Sequence, residues 1–390
     1  MKLLIINTSR CNPVVGGIEA CSNTLARGLI SRGHKVYFLY TRRIPLTADF
    51  DVPAPEYAMP SDADYDYDAS CVEFDCKLRR ELEIDTVLFQ RAVLENRYFF
   101  LENIPADLKI RKVAAVHCSP LHRVFPFREQ YLMPYHSIKE FVYSVGGFIF
   151  PGIMRRYMAP KLKAEYQRCN MLADTVVMLS PSYVKIVGDF AGIDTAHFVA
   201  IPNSYGNTMR GLPLAKERLV VYIGRFTSFE KNPMLFVKMW RLLTARFPDW
   251  KALMIGEGDA MGKVKRYISR HNIPNITVEP PTSCLDDIYD RASVLVNTSF
   301  SESFGNVLVE AMAHGCVPVA SKYCGAVPDI FGNDAGVVVQ SLMPVDYADA
   351  VAALISSPEQ LRSKAQAAFE RSERFSPELY IDRWEKVLMG

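Results

Sequence analysis

Two carboxylates and two cations are the side chains whose spacing most directly suggests chemistry. Glu302 and Glu310 enclose Ser303, Phe304, Gly305, Asn306, Val307, Leu308 and Val309. The polar stretch reads as a loop; Val307, Leu308, Ala311 and Met312 then recur at helical spacing until Gly315 stops the helix. With Glu302 in the loop and Glu310 about two turns into the helix, a rise of 1.5 Å per residue sets their backbones roughly 12 Å apart. Glycosidase carboxylates that work on one bond stand about 5 to 9.5 Å apart, so this pair suits two hydroxyl-bearing parts of one long ligand. A Glu in a Ser-rich loop is ordinarily solvated and a helical Glu ordinarily faces water, so spacing alone leaves both readings open. Arg225 and Lys231 lie in Gly224-Arg225-Phe226-Thr227-Ser228-Phe229-Glu230-Lys231-Asn232-Pro233, just after an apolar run. Two cations around a short loop can hold a diphosphate through charge-assisted hydrogen bonds, although most such pairs are simply solvated.

The elements that must position these groups are strand–loop–helix units. Apolar runs at 2–7, 35–40, 86–89, 113–117, 175–179, 198–201, 219–223, 252–255, 276–278, 294–296, 317–320 and 336–339 alternate with helical patterns, which predicts parallel sheets covered by helices on both faces. In such folds ligands bind beyond the carboxyl ends of the strands. The free amides of a helix start near Ser303 to Asn306 would favour an anion or sugar oxygens there. Gly16 and Gly17 open a helix carrying Ile18, Cys21, Leu25 and Leu29 on one side; Gly-Gly permits close approach to a phosphate or sugar and is also a common turn. The loop lacks G-x-G-x-x-G, which weakens a dinucleotide reading. His117 closes the run Val113 to Val116 at the ligand edge, where a lone His is more often structural than catalytic.

Taken together, the Glu302…Glu310 segment, the Gly224–Pro233 segment, Gly16-Gly17-Ile18-Glu19 and the placement of His117 resemble the family 4 retaining glycosyltransferases of the GT-B fold. The resemblance covers the whole length, with its strongest motifs in the second half. It implies two Rossmann-like doubly wound domains facing a cleft: residues 1–203 binding the acceptor, with a terminal helix over 376–390 crossing back onto them, and residues 204–375 binding a nucleotide diphosphate sugar. It implies that Glu302 contacts the donor sugar's hydroxyls, Glu310 accepts from the ribose hydroxyls, Arg225 and Lys231 neutralise the diphosphate, and His117 meets the donor sugar and reaction centre. Gly16, Gly17, Ser303, Phe304, Gly305 and Asn306 complete the expected donor site. The family's Pro-Asn-Gly-Val at the domain boundary is here Pro202-Asn203-Ser204-Tyr205, a departure that bears on linker geometry.

Composition narrows the remainder. A chain of 390 residues exceeds one core, and a net charge of +2 argues against a nucleic-acid partner. Nine cysteines without a C-x-x-C pair read as reduced, mostly buried thiols of a cytoplasmic protein and leave no zinc motif. No metal and no cofactor beyond the donor is expected, since no Asp-x-Asp occurs where a metal would be needed; Asp62, Asp64, Asp66 and Asp68 alternate in the acidic loop. Residues 51–75, rich in Asp, Glu, Pro and Tyr, read as a mobile surface loop. The amino terminus reads as a first strand, and residues 142–154 are too short to span a bilayer. Residues 108–170 hold eleven Lys or Arg against three Glu, interleaved with Phe125, Phe127, Tyr131, Tyr135, Phe141, Tyr143, Phe148 and Phe150. That pattern suits an anionic membrane surface, at about 1 kcal/mol for each basic residue near it, as well as an acidic acceptor or plain core aromatics.

The expected function is therefore retaining transfer from a nucleotide sugar to a glycan or lipid-linked acceptor. The expected setting is bacterial capsule, exopolysaccharide or lipopolysaccharide synthesis at the inner face of the plasma membrane. A sugar-nucleotide epimerase, a phosphorylase and a non-catalytic glycan- or nucleotide-binding protein are the alternatives.

Overall fold

The structure, a computed structural model, describes the chain except for residues 13–15, 48–49, 64–66, 94–97, 125–137, 207–211, 213–214, 229, 283 and 323–324 and the side chains of 139 and 140. Asp64 and Asp66 of the acidic loop and Phe125, Phe127, Tyr131 and Tyr135 of the basic, aromatic stretch thus lie outside the described residues. The chain divides into two compact units. One comprises Met1–Pro120, Pro160–Gly206 and Ser376–Gly390; the other comprises Leu121–Ala159 and Asn207–Phe375.

The first unit is built on seven strands: β1 Lys2–Asn7, β2 Lys35–Tyr40, β3 Glu56–Ala58, β4 Thr86–Phe89, β5 Arg111–Val116, β6 Thr175–Met178 and β7 Phe198–Ala200. They lie in the order β3-β2-β1-β4-β5-β6-β7, all parallel. Strands buried on both faces need unbroken apolar runs, and Leu3, Leu4, Ile5 and Ile6 are all fully buried. The helix Gly17–Ser31 lays Leu25, Ala26 and Leu29 on this sheet, and the final helix Pro377–Met389 adds Tyr380, Ile381, Trp384 and Leu388 to the same core. A Cβ at Gly28 would meet Ile381 Cδ1 at 1.8 Å, so the two helices touch where only Gly fits.

The second unit repeats the plan with β8 Glu217–Ile223, β9 Lys251–Ile255, β10 Ile276–Glu279, β11 Ala292–Asn297, β12 Val317–Ser321 and β13 Val337–Val339. Their order is β10-β9-β8-β11-β12-β13, again all parallel. Trp240, Phe236, Tyr347 and Val351 fill the space between sheet and helices. Each unit is thus a doubly wound α/β sheet, as the alternating pattern predicts. In each, strand order reverses beside the first strand, between β1 and β4 and between β8 and β11, which is where such sheets open a ligand site.

The reading of residues 51–75 as a mobile loop needs correction. Within it β3 extends the sheet beside β2, and a helix runs over Ala69–Glu81, capped where Asp68 accepts from the Cys71 amide. Composition misleads here because the charges neutralise one another inside. Arg79 and Asp75 are fully buried and joined by two bonds of 2.7 Å, Arg79 also donates to the Phe100 carbonyl, and Tyr67 donates to Asp75. Arg79→Met, which strands the Asp75 charge, is expected to cost about 3–5 kcal/mol of stability in a denaturant titration, with Asp75→Asn added on top recovering part of it. Of the described cysteines, Cys11, Cys21, Cys71, Cys118, Cys169 and Cys316 are buried free thiols, whereas Cys76 is half-buried and Cys284 is exposed.

Candidate functional site

The carboxyl ends of β8 and β11 bring together what the sequence holds apart. After β8 the loop from Gly224 turns under Phe226, and Lys231 emerges from it just before the helix Pro233–Thr244. After β11 the loop from Thr298 carries Glu302 to the helix Asn306–Ala313. Lys231 Nζ donates to Glu302 Oε1 at 2.6 Å, and the two side chains are only 20% and 11% exposed. Ser299 Oγ donates to the same oxygen at 3.0 Å and Asn297 Nδ2 approaches it at 3.4 Å. Burial works against a charge on Glu302. The Lys231 ammonium and these donors outweigh burial and hold the carboxyl below its ordinary range.

Both loops are themselves fastened. Tyr222, buried on β8, donates to the Arg225 carbonyl at 3.1 Å, and the Thr298 hydroxyl lies within reach of the Lys231 and Asn232 carbonyls at 3.1 and 2.9 Å. The Phe300 amide donates to the Glu230 carbonyl. The loop after β9 presses on the loop after β8: a Cβ at Gly256, where φ is +146°, would stand 2.0 Å from the Gly224 carbonyl oxygen. Gly325 closes on the Glu302 loop in the same way: a Cβ there, where φ is +58°, would stand 2.5 Å from the Phe304 carbonyl oxygen and 3.1 Å from Glu302 Cβ. The two glycines permit a contact that any side chain would push apart.

Arg225 sits differently from Lys231. Its side chain is 67% exposed and paired to Glu230 at 2.8 Å, a surface bond that costs little to exchange for another anion. Ser303 and Asn306 are half-buried, while Phe304 is buried with its ring edge-on to Phe375, so only its backbone faces a ligand. Gly305 caps the helix with φ +101° and no side-chain bond, and the Leu308 amide donates back to its carbonyl at 2.9 Å.

Glu310 is half-buried and accepts from the Tyr289 hydroxyl at 2.9 Å. Burial raises its carboxyl to about 7; the Tyr289 bond offsets part of this and the nearby Asp286 charge adds to it. The Tyr289 ring stacks on His314, whose Nδ1 is 2.7 Å from Asp290 and Nε2 3.5 Å from Asp286. Glu302 and Glu310 thus have separate partner sets, one cationic and one phenolic, and differ in charge near neutral pH.

In the first unit the corresponding edge carries a polar row. His117 follows β5, Gln90 follows β4 and Asn7 ends β1. His117 Nε2 is 2.6 Å from Gln90 Oε1, Gln90 Nε2 donates to Ser22 Oγ at 3.1 Å, and Asn7 Nδ2 reaches the same hydroxyl at 3.2 Å. Because the amide nitrogen of Gln90 is spent on Ser22, its oxygen must accept, so the proton of His117 is on Nε2 and Nδ1 keeps its lone pair. Burial, with the Arg91 guanidinium, brings the imidazole down to about 4. Gly16 has extended backbone and Gly17 begins the helix, with Ser9 Oγ bonded to Glu19 beside them at 2.9 Å.

Sequence reasoning missed Asn297, Ser299, Tyr289, Asp286, Gln90 and Ser22. For Asn297 and Gln90 a signal was present, a polar residue directly at the carboxyl end of an apolar strand. For Tyr289 there was none, because its helix faces Glu310 only in the folded chain.

The match to a known family lies in the second unit. Residues 217–357 match the profile of the glycosyl transferases group 1. The D-inositol 3-phosphate glycosyltransferase of Segniliparus rotundus is 29% identical over 174 residues, 43% of this chain and 38% of that protein. The amylovoran biosynthesis glycosyltransferase AmsD of Erwinia amylovora is 25% identical over 174 residues, 44% of this chain and 48% of that protein. The match thus spans less than half the length of these relatives. Among solved structures, Anabaena Alr3699/HepE in complex with UDP superposes with a TM-score of 0.68 at 18% identity and covers 100% of both chains. The fold is that of the GT-B glycosyltransferases.

Proposed function

We propose that this chain is a retaining glycosyltransferase that moves a sugar from a nucleotide diphosphate sugar to a glycan or lipid-linked acceptor, without a metal, in the synthesis of a bacterial surface polysaccharide. The observation that carries the reading is the Lys231–Glu302 pair at the point where the second sheet reverses its strand order. A half-buried ammonium with three N–H donors, of which Glu302 takes one, sits beside a carboxylate kept ionised. That combination fits a diphosphate next to a polyhydroxyl group.

In this reading Lys231, Arg225 and the amides at Ser303 to Asn306 receive the charge that grows on the diphosphate as the bond from the anomeric carbon to phosphate oxygen breaks. Charge stabilisation of this kind is usually the largest catalytic contribution. Glu302 accepts from hydroxyls of the donor sugar and Glu310 from the ribose. The acceptor oxygen bonds to the anomeric carbon on the face the phosphate leaves, and its proton passes to the departing phosphate oxygen. His117, uncharged at neutral pH with Nε2–H tied to Gln90, serves as a fixed hydrogen-bonding group near the sugar rather than as a proton carrier. The first unit would supply the acceptor contacts and the second most of the donor contacts. Gly16 and Gly17 let backbone approach the donor without a side chain intervening. The relatives named D-inositol 3-phosphate glycosyltransferase and amylovoran biosynthesis glycosyltransferase, with the UDP complex of Anabaena Alr3699/HepE, favour this reaction class and make UDP-sugars the first donors to test.

The test is incubation with UDP-, GDP- and ADP-sugars, with and without EDTA, followed by proton NMR of the anomeric centre in whatever saccharide forms. The expected result is consumption of one donor class, retention of the donor's anomeric configuration and a rate that EDTA leaves unchanged. An inverted product, release of an epimerised nucleotide sugar, or turnover that requires a divalent ion overturns the corresponding part of the proposal. Binding of a nucleotide sugar without any conversion would favour the non-catalytic alternative.

A further inference from the structure

Lys216 stands immediately before β8, at the edge of the second sheet opposite to Lys231 and Glu302. It is half-buried, and its Nζ donates to the Tyr289 carbonyl at 2.7 Å and to the His314 carbonyl at 2.6 Å. Tyr289 lies in the last turn of the helix Leu285–Arg291, and His314 ends the helix Asn306–Ala313. Both carbonyls thus belong to helix C-termini, where backbone acceptors lack helical partners and a cation is favoured. One ammonium fixes the ends of two helices. Those helices face each other through polar side chains: Asp286, Tyr289 and Asp290 fall at i, i+3 and i+4 on the first, Glu310 and His314 at i and i+4 on the second. Asp286 and Asp290 flank the His314 ring, the Tyr289 ring stacks on it, and the Tyr289 hydroxyl donates to Glu310 Oε2. Glu310 Oε1 has no hydrogen-bond partner among the described residues.

We infer that Lys216 and Tyr289 are positioning residues for the nucleoside: Lys216 holds the two helix ends together, which sets the Tyr289 hydroxyl against Glu310 Oε2 and leaves Oε1 aimed at the ribose hydroxyls. The inference rests on the reading of Glu310 as the acceptor from ribose, and adds how that grip is set from the far side of the sheet. A carboxylate turns broadly about its last torsion, so one oxygen has a fixed direction only when the other is held. Tyr289 can hold it because its own ring is buried and stacked on His314, and so has nowhere to swing. The same bond favours the ionised carboxylate, against burial and the Asp286 charge, which both oppose it. Lys216 acts through the two backbones: without it, two unpaired carbonyls face each other where the helices end.

Calorimetry of the full chain tests it, using whichever of UDP, GDP and ADP binds the parent and a dideoxyribose form of the same nucleotide, which lacks both ribose hydroxyls. Tyr289→Phe and Lys216→Met are each expected to weaken the ribonucleotide about tenfold, the scale of one lost bond to a charged group, and to leave the dideoxy form at the parent's affinity. In Tyr289→Phe the pH at which ribonucleotide affinity falls away should also move upward, because the Glu310 carboxyl loses the bond that lowers it. Equal weakening of both nucleotides marks general damage to the fold and overturns the inference. So does parent-like affinity in either variant under conditions where Glu310→Gln binds weakly. Parent-like affinity in Glu310→Gln, or no binding of any of the three nucleotides, overturns instead the ribose reading on which the inference rests.

Discussion

Lys231→Ala is expected to lower kcat for sugar transfer by about 10²–10³-fold, the range seen when one preorganised donor to a developing anion is removed. The loss should exceed what KM reports, because the diphosphate gains most of its charge after binding. The same substitution removes the charge that keeps Glu302 ionised. A carboxyl whose folded value is depressed contributes stability above its unfolded value, near 4.3, and loses that contribution as pH falls through the lower folded value. The variant should therefore show a thermal midpoint lowered more at pH 7 than at pH 4, and an acid limb of its residual activity moved to higher pH. Lys231→Met should behave alike, whereas Lys231→Arg should keep the stability and recover only part of the rate, since a planar fork does not replace a compact ammonium in a fitted loop. Unchanged kcat in Lys231→Ala, with stability reduced, would reduce the pair to a structural ion bridge.

Glu310→Gln should separate stability from function. The Glu310 carboxyl is raised to about 7, with burial the leading cause. A raised acid leaves stability intact below its unfolded value, near 4.3, and erodes it progressively as pH climbs to the folded value, so the full penalty applies above pH 7. At pH 8 the penalty is about 3–4 kcal/mol. Gln, which carries no charge, should raise the thermal midpoint of the free protein at pH 8 and leave it unchanged near pH 4. Donor affinity should move the other way. If the ionised form accepts from the ribose hydroxyls, affinity of the parent falls up to tenfold per pH unit below about 7, and the Gln variant binds weakly at every pH with that slope gone. Calorimetry of nucleotide sugar binding in buffers of different ionisation enthalpy should register proton release on binding to the parent near neutral pH and none for the variant. A parent whose donor affinity is flat between pH 5 and 8 would remove Glu310 from the ligand.

The parallel strands were legible because burial on both faces demands consecutive apolar residues, and β1, β2 and β4 begin and end where those runs do. The Asn306–Ala313 helix was legible from its spacing and its glycine stop. Residues 69–81 were not, because Asp75 and Arg79 look like solvent-facing charges until folding turns both inward onto each other. The exposure of Ile138, Phe141, Ile149, Phe150, Ile153 and Tyr157 was equally hidden, since interleaved aromatic and basic residues are compatible with a covered face or a bare one, and packing selects between them.

What the linear order determined by itself was the inventory of groups and the edge on which they stand. Strand–loop–helix units set Lys231, Glu302, Gln90 and His117 just past carboxyl ends, whatever the strand order turns out to be. Tertiary structure alone decided which groups meet. Lys231 and Glu302 are 71 positions apart and touch because β8 and β11 are neighbours in the sheet, a pairing that contact between faces dictates and local periodicity does not encode. It also decided their charge: desolvation and Tyr289 set the titration of Glu310, and the buried row from Ser22 to Gln90 sets the tautomer of His117. Proton affinity depends on what surrounds a group in three dimensions, and no spacing along the chain records that.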